Sequence, residues 1–383
     1  MVNDLKKLSS SAQKYKSIKK YLLGEIHQGK LKEGDRILPE IELAQHFSVS
    51  RGTVQKAIIE LQNDGYLARK KRSGTIVSSI NGRRSNLISL VMPFFSNRAG
   101  KDIHCSIMDG AEKALIEQGY HIVLCRMGPF YNEAIERISM LKDNLVDGII
   151  FDPLESLQAD QDNESLAKLL GSPQTPMVLV DRRWSGKIGS SLSYVTSDNF
   201  GAAFELTNYL ISLGYSRIAY LRTNANTSDE RFHGYQKALT DAGISLRPEY
   251  QLAVASPFLE TQGFQEVDVL TALASPPEII MCTFDVMARS VIMRLQSKGI
   301  KVPTQMGVVG FDDSETARVG EPLLTTVRQN GEEIGRRAAA ILVDKIRGSK
   351  SVLEKIDNKV PCEIVLRDSV VPRSQFQGLT LNK

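Results

Sequence analysis

From Asn86 onward, short apolar runs alternate with longer segments of helical periodicity, and this alternation limits the fold more than any other feature of the chain. LISLVMP, HIVLC, VDGIIF, PMVLVD, YVTSD, RIAYL, EIIMCTF and MGVVGFD are too short and too evenly apolar for surface helices. Many are followed by stretches such as MDGAEKALIEQG or AAFELTNYLISLG, where apolar residues return every three or four positions. Strands buried on both faces and joined through helices form parallel sheets, because a parallel neighbour requires a long crossover. There are more runs than one sheet readily holds. Two stacked α/β lobes are therefore expected over residues 86–372, with residues 373–383 as a tail. Ligands of such sheets bind beyond the C-terminal strand ends, so the residues just after each run are the candidates.

Residues 1–77 are patterned differently. Tyr15, Ile18, Leu22 and Ile26 share one face of a helix expected over 12–28, and Gly29 and Gly34-Asp35 mark a loop. Pro39 opens a short helix over 40–47, and Ser50 is placed to cap a third over 51–64. Val54, Ala57, Ile58 and Leu61 give that third helix a buried face, while Arg51, Thr53, Gln55 and Lys56 lie away from it. After Gly65, the strand-like residues 66–68 and 75–77 flank KKRSG as a hairpin. Two helices joined by so short a turn have helix-turn-helix geometry. Residues 78–85, SSINGRRS, lack periodicity and read as a linker.

Charge separates the two regions. Residues 1–84 carry 17 Lys/Arg against 8 Asp/Glu, a net +9; the remaining 31 and 36 leave residues 85–383 at −5. A basic module before an acidic body points to a polyanion partner for the first part. No apolar run approaches the roughly 20 residues of a membrane span, and the basic N-terminus has no apolar stretch after it, so a cytoplasmic protein without a membrane partner is expected. The four cysteines form no CxxC pair and are expected as scattered buried thiols. There is no P-loop, HExxH or GxSxG, and none of the five histidines has a motif setting. No enzyme activity, cofactor or metal site is expected.

GDRILPEIELA, Ser50-Arg51-Gly52-Thr53-Val54, Glu60-Leu61 to Gly65, and the RSGT at 72–75 resemble the GntR family of winged helix-turn-helix regulators. The resemblance covers roughly residues 14–78. It implies a recognition helix in the major groove of double-stranded DNA and a wing whose tip, Gly74, reaches the minor groove. The residue types agree: Arg51 can fork onto guanine, Gln55 can pair with adenine, and Thr53 suits a phosphate or a thymine methyl. Ser50 stands beside them, and Lys56, Lys70, Lys71 and Arg72 are expected on phosphates. Relatives often carry arginine where Ile41 and Gln55 stand, and Ile41 is expected to pack inward.

The body resembles the LacI/GalR regulators and periplasmic sugar-binding proteins over about 86–370. VDGIIF, PMVLVDRR, VTSDNFGAAFELTNYLISLGYSRIAYL, RFHGYQKALTDAG, CTFDVMA, VPTQMGVVGFDD, PLLTTVRQ and EEIGRRAAA carry that likeness. It implies lobes joined by three crossovers, near 194–197, 322–328 and 348–354, closing on a small ligand. Position by position it places Asp181, Arg182, Arg231, Asp312 and Gln329 in the pocket. His104 occupies a position where relatives often have an aromatic. Phe284 stands where many have Asn or Asp, Phe95 follows the first strand, and Trp184 follows VDRR as a stacking candidate. Asp285 is expected to cap its helix, and Asp313 to cap or stay solvated. Together the likenesses imply a homodimeric regulator, a repressor whose operator binding is controlled by a small sugar, a pentose or deoxyhexose. A sugar-binding transport-receptor-like protein and a regulator responding to a phosphosugar or other metabolite are the alternatives.

Overall fold

Ile18, Leu22 and Ile26, one helical turn apart, are buried against Leu43, Val54, Ala57, Ile58, Leu61, Leu67 and Val77, and this cluster closes the first unit on itself. The computed structural model describes residues 2–27, 29–63, 65–70, 74–78, 85–93, 103–127, 146–153, 165, 175–183, 192–254, 261–347 and 357–377. It divides into two units, Met1–Ser85 and Asn86–Lys383.

The first unit contains α1 (Val2–His27), α2 (Glu40–His46) and α3 (Arg51–Asn63), then β1 (Leu67–Lys70) and β2 (Gly74–Val77) paired antiparallel as a hairpin. Helix α1 starts about ten residues before the expected 12, since no glycine or proline precedes Gly24 to stop it. Ser50 caps α3 as expected, its Oγ accepting from the Thr53 backbone N–H at 3.2 Å. Ile41 departs from expectation: it is 56% exposed on α2 and does not join the core. The core is already closed beside it by Leu43, whose side chain points inward.

The second unit opens with β3 (Leu87–Pro93), α4 (Ile103–Glu117), β4 (His121–Met127), β5 (Gly148–Phe151), β6 (Met177–Val180) and β7 (Ser193–Ser197). The chain then leaves for a second lobe: α5 (Asn199–Ser212), β8 (Ile218–Arg222), α6 (Asn226–Asp241), β9 (Gln251–Ala253), α7 (Phe264–Ala272), β10 (Ile279–Cys282), α8 (Asp285–Ser297), β11 (Gly307–Val309) and β12 (Thr326–Arg328). It returns with α9 (Gly331–Arg347) and β13 (Asp357–Val360) and ends in the second lobe with β14 (Glu363–Val365). The first lobe is a parallel sheet in the order β13-β7-β6-β5-β3-β4, and the second is a parallel sheet in the order β11-β10-β8-β9. A short antiparallel β12-β14 pair accompanies the second. The expected two-lobed α/β body is thus what the chain forms.

The first crossing follows β7 and the second follows β12, each immediately after the expected segment. The third was expected at 348–354, which lies outside the described residues. Strand β13 still pairs with β7 in the first lobe, Asp357 opposite Tyr194 through Val360 opposite Ser197, so the chain crosses only at Pro361-Cys362. The sequence there lacks the long apolar run that marks the other strands. Residues 373–377, expected as tail, also begin on the body. Arg373 Nε lies 2.7 Å from Glu278 Oε1, and the Phe376 ring meets Tyr215 edge-on at 5.6 Å.

Among the described residues no helix is long and apolar enough to cross a membrane. The cysteines are all free; Cys125 and Cys282 are buried, Cys105 and Cys362 only partly.

Glycine permits one close approach that shapes the first lobe. Where α4 crosses α9, a Cβ on Gly110 would overlap the Glu332 carbonyl, and one on Gly335 would overlap the Ile107 carbonyl. A side chain at either point must push the helices apart and disturb the core of Ile107, Ala111, Ile334 and Ala338. Gly335→Ala should therefore lower stability by about 1–3 kcal/mol, the usual cost of overpacking, in a denaturant melt. A melt unchanged from wild type would mean that the helices can part freely.

Candidate nucleic-acid interface and ligand cleft

Arg51, Gln55 and Ile59 are spaced by one helical turn along α3, and with Gly52 and Lys56 they form the face its core residues leave exposed. Arg51 projects from it, its side chain 68% exposed, and its Nε lies 3.3 Å from Glu40 Oε2. Glu40 on α2 thus aims the guanidinium while leaving most of it available. Thr53 is half-buried, with its hydroxyl 2.9 Å from that of Ser50. Lys56 Nζ sits 4.6 Å from the centre of the Tyr15 ring, so this cation is steered by α1. Lys70 is exposed at the end of β1, and Gly74 opens β2 with φ 80°, a backbone that side chains resist. The Arg36 guanidinium also occupies the space a Gly74 side chain would take. Lys71 and Arg72 lie outside the described residues.

In the body, two sets of the expected ligand residues gather at C-terminal strand ends. His104, in the first turn of α4, sets its Nε2 3.1 Å from Asp152 Oδ2 and 4.0 Å from Asp181 Oδ2. Arg182 Nη1 reaches Asp152 Oδ1 at 3.4 Å and the Pro153 carbonyl at 3.2 Å, and its Nε lies 3.6 Å from Asp181 Oδ2. All four side chains are buried. Asp152 was missed in the sequence, although it follows the GIIF run just as Asp181 follows MVLV. Burial pushes the Asp152 carboxyl above its ordinary range, outweighing the nearby Arg182 and His104.

The second set surrounds Arg231 on α6. Its Nε donates to Asn199 Oδ1 at 2.8 Å and its Nη1 to the Thr283 carbonyl at 2.5 Å, while its guanidinium lies over the Phe311 ring at 3.6 Å. Asp312 Oδ1 is 3.6 Å from Arg231 Nη1 and accepts from Gln329 Nε2 at 2.7 Å. The Gln329 Oε1 in turn accepts from the Ser197 hydroxyl at 2.6 Å, which ties the first lobe to the second. A further tie joins Arg183 to Glu230 at 3.1 Å. Sequence reading also missed Asn199, Ser197 and Glu230. Ser197 and Asn199 flank a strand end and were discoverable by the rule that found Asp181. Phe284 is half-buried and packs on the second lobe's core beside Thr283. Phe95 and Trp184 lie outside the described residues.

Asp181 and Asp312 have φ of 61° and 118°, conformations uncommon for residues other than glycine. Such strain persists where surrounding contacts enforce it, and it gathers at ligand sites.

Comparison with known proteins separates the two units in the same way. Residues 14–77 match the model of bacterial regulatory proteins of the gntR family, and residues 207–370 match a periplasmic binding protein-like domain. The arabinose metabolism transcriptional repressor of Geobacillus stearothermophilus is 28% identical over 365 residues, spanning 93% of this chain and 97% of that one. The HTH-type transcriptional repressor PurR of Vibrio campbellii (strain ATCC BAA-1116) is 30% identical over 269 residues, 69% of this chain and 76% of that one. The chain belongs to the transcriptional regulators that join a GntR-type head to a LacI-type body. Among solved structures, the transcriptional regulator CelR-cellobiose complex superposes with a TM-score of 0.65 at 28% identity, covering 83% of this chain and 90% of that one.

Two aspartates of this regulator's second lobe behave differently from expectation. Asp285 does not cap α8. It is wholly buried, its Oδ1 accepting from the Thr326 hydroxyl at 2.5 Å and its Oδ2 from the Ser314 N–H at 2.8 Å and hydroxyl at 3.1 Å. It fastens the loop after β11 to the second crossover. Asp313 is neither a cap nor solvated: Arg318, Arg328 and Arg367 all converge on its buried carboxylate. Burial alone would raise its pKa, but the three guanidinium hydrogen bonds hold it below the ordinary range. The sequence spreads those arginines over fifty residues, so nothing local revealed them.

Burial first, and then the neighbouring Asp312 carboxylate, push Asp285 up to about 8 against its hydrogen bonds from Thr326 and Ser314. A carboxyl whose folded pKa lies above the unfolded value of about 3.9 binds its proton more tightly when folded. Its stabilisation is complete below that unfolded value and is lost as pH rises toward the folded one. Asp285→Asn should therefore lessen the fall of stability between about pH 5 and pH 8 in urea denaturation. A variant whose pH profile runs parallel to wild type would show that Asp285 is already ionised in the folded protein.

Proposed function

We propose that this regulator is a homodimeric cytoplasmic repressor that binds an operator through α3 and the wing and releases it when a small sugar, a pentose or deoxyhexose, occupies the cleft. The observation that carries this reading is the path Ser197–Gln329–Asp312–Arg231. Its hydroxyl, amide, carboxylate and guanidinium are groups of the kind that pair with a polyol, and they stand beside the two chain crossings that lobe closure would bend. A ligand inserted there competes for the same amide and carboxylate, so its binding energy differs between open and closed lobes, as any effector's must. The arabinose-metabolism relative and the cellobiose-bound neighbour support a carbohydrate effector. A phosphosugar is less favoured, because Arg182 and Arg231 are both already engaged by protein carboxylate and carbonyl groups. The second lobe's exposed Leu323 and Leu366 lie on segments joined by the Asp368 N–H to Leu323 carbonyl bond and offer apolar surface to a second copy. Two heads in a dimer would read half-sites one helical turn apart, or a multiple of it. The site is read as a binding site and not as a catalytic one.

Titration of labelled operator and random DNA tests the head. Arg51→Ala should lose about 1–3 kcal/mol on operator and little on random DNA, the signature of a base-reading fork. Equal losses on both would make Arg51 a phosphate contact. A thermal-shift screen of free pentoses, hexoses and deoxysugars identifies the effector, since a ligand of the folded state raises apparent stability. The sugar found should weaken operator binding, and Asp312→Ala should abolish that response while DNA binding persists. A sugar that tightens operator binding would overturn the repressor reading.

A further inference from the structure

Strands β3, β5 and β6 are direct neighbours in the first lobe's sheet, and one potential metal donor stands beyond the end of each. His104 follows β3 on α4, Asp152 immediately follows β5, and Asp181 immediately follows β6. One ligand atom from each lies within 4.8 Å of the others, and all three side chains are buried. We propose that these residues form a binding site for a divalent first-row transition ion such as Zn2+.

Three features carry the assignment. The donor set is one imidazole and two carboxylates, which suits a borderline ion better than Ca2+, whose site needs six to eight oxygens. The separations are also right. Bonds of about 2.0–2.2 Å to a tetrahedral ion set donors roughly 3–3.5 Å apart. His104 Nε2 and Asp152 Oδ2 are 3.1 Å apart, and Asp181 Oδ2, 4.0 Å from the imidazole, would have to draw inward to share the ion. The third feature is Asp152 Oδ2 itself, which is buried and accepts no hydrogen bond although the imidazole nitrogen is so near. The two atoms are close without being aligned on each other, as donors are when both face a common point between them.

Arg182 is the evident competitor, and its geometry leaves room. It takes the other oxygen of Asp152, Oδ1, and the Pro153 carbonyl, while its approach to Asp181 is a looser 3.6 Å. It braces the carboxylates in the way outer partners of metal ligands do. With a neutral imidazole the four groups carry one net negative charge in a buried place. A bound cation would relieve that charge. Three protein donors leave at least one coordination position open, the arrangement of a site that exchanges a further ligand. The proposal does not depend on the effector reading, because the ion alone is the probe.

The full-length protein, stripped with EDTA and desalted, is titrated with ZnCl2 by calorimetry in a non-chelating buffer. One equivalent should bind, and Asp152→Asn, His104→Gln and Asp181→Asn should each weaken binding about tenfold or more. Asparagine tolerates the left-handed backbone of residue 181, so the last variant retains a test should the more deeply buried changes fail to fold. No heat of binding up to about 100 μM metal would overturn the proposal. Binding of the same strength in wild type and every folded variant would place the ion elsewhere and overturn it equally.

Discussion

Gln329 is a single amide asked to satisfy two lobes. Its carbonyl oxygen accepts from Ser197, at the end of the first lobe's sheet, and its nitrogen donates to Asp312, at the end of the second lobe's. It sits one residue past β12, where the chain makes its second crossing. The amide is nearly buried, so leaving either end unpaired would cost about 1–3 kcal/mol. The relative placement of the strand ends, and with it the shape of the cleft, depends on that pairing. Anything that enters the cleft must replace those hydrogen bonds or preserve them.

Behind Asp312 lies the machinery that holds it in a strained conformation. Asp285 secures Ser314 on one side and Thr326 on the other. Asp313 gathers three guanidiniums from three separate segments. Buried charges on this scale contribute little net stability compared with apolar packing, but losing one partner strands the rest. They fix the conformation of a loop that apolar packing alone would leave loose. That is consistent with the Asp312 carboxylate being held at φ 118° without a glycine.

Much of the architecture was legible because periodicity survives without context. The parallel α/β body, the three helices of the head and its hairpin all follow from where apolar residues recur. Asp181, Arg231, Asp312 and Gln329 were legible from their places after strands and in matching segments. What escaped notice has a common physical origin. The three-arginine shell of Asp313, the bonds of Asp285 and the approach of Asp152 to His104 are contacts between residues that mostly lie well beyond one helical turn of each other, from 5 to 54 positions apart. Ile41 was misjudged because an isolated apolar residue on a short helix carries no periodicity to set its face. The late third crossing was misplaced because β13, with the sequence DNKV, does not read as a buried strand.

The order in which the chain visits its lobes has a consequence for biosynthesis. The head carries its own apolar cluster and is complete by Val77. The first lobe, begun at Leu87, obtains a second helix of its core only with Gly331–Arg347 and its edge strand only with Asp357–Val360. The second lobe obtains β14 later still. A ribosome therefore releases a DNA-reading module long before either half of the sensor can close. A messenger cut short anywhere between those points would yield a folded head attached to a body that cannot close.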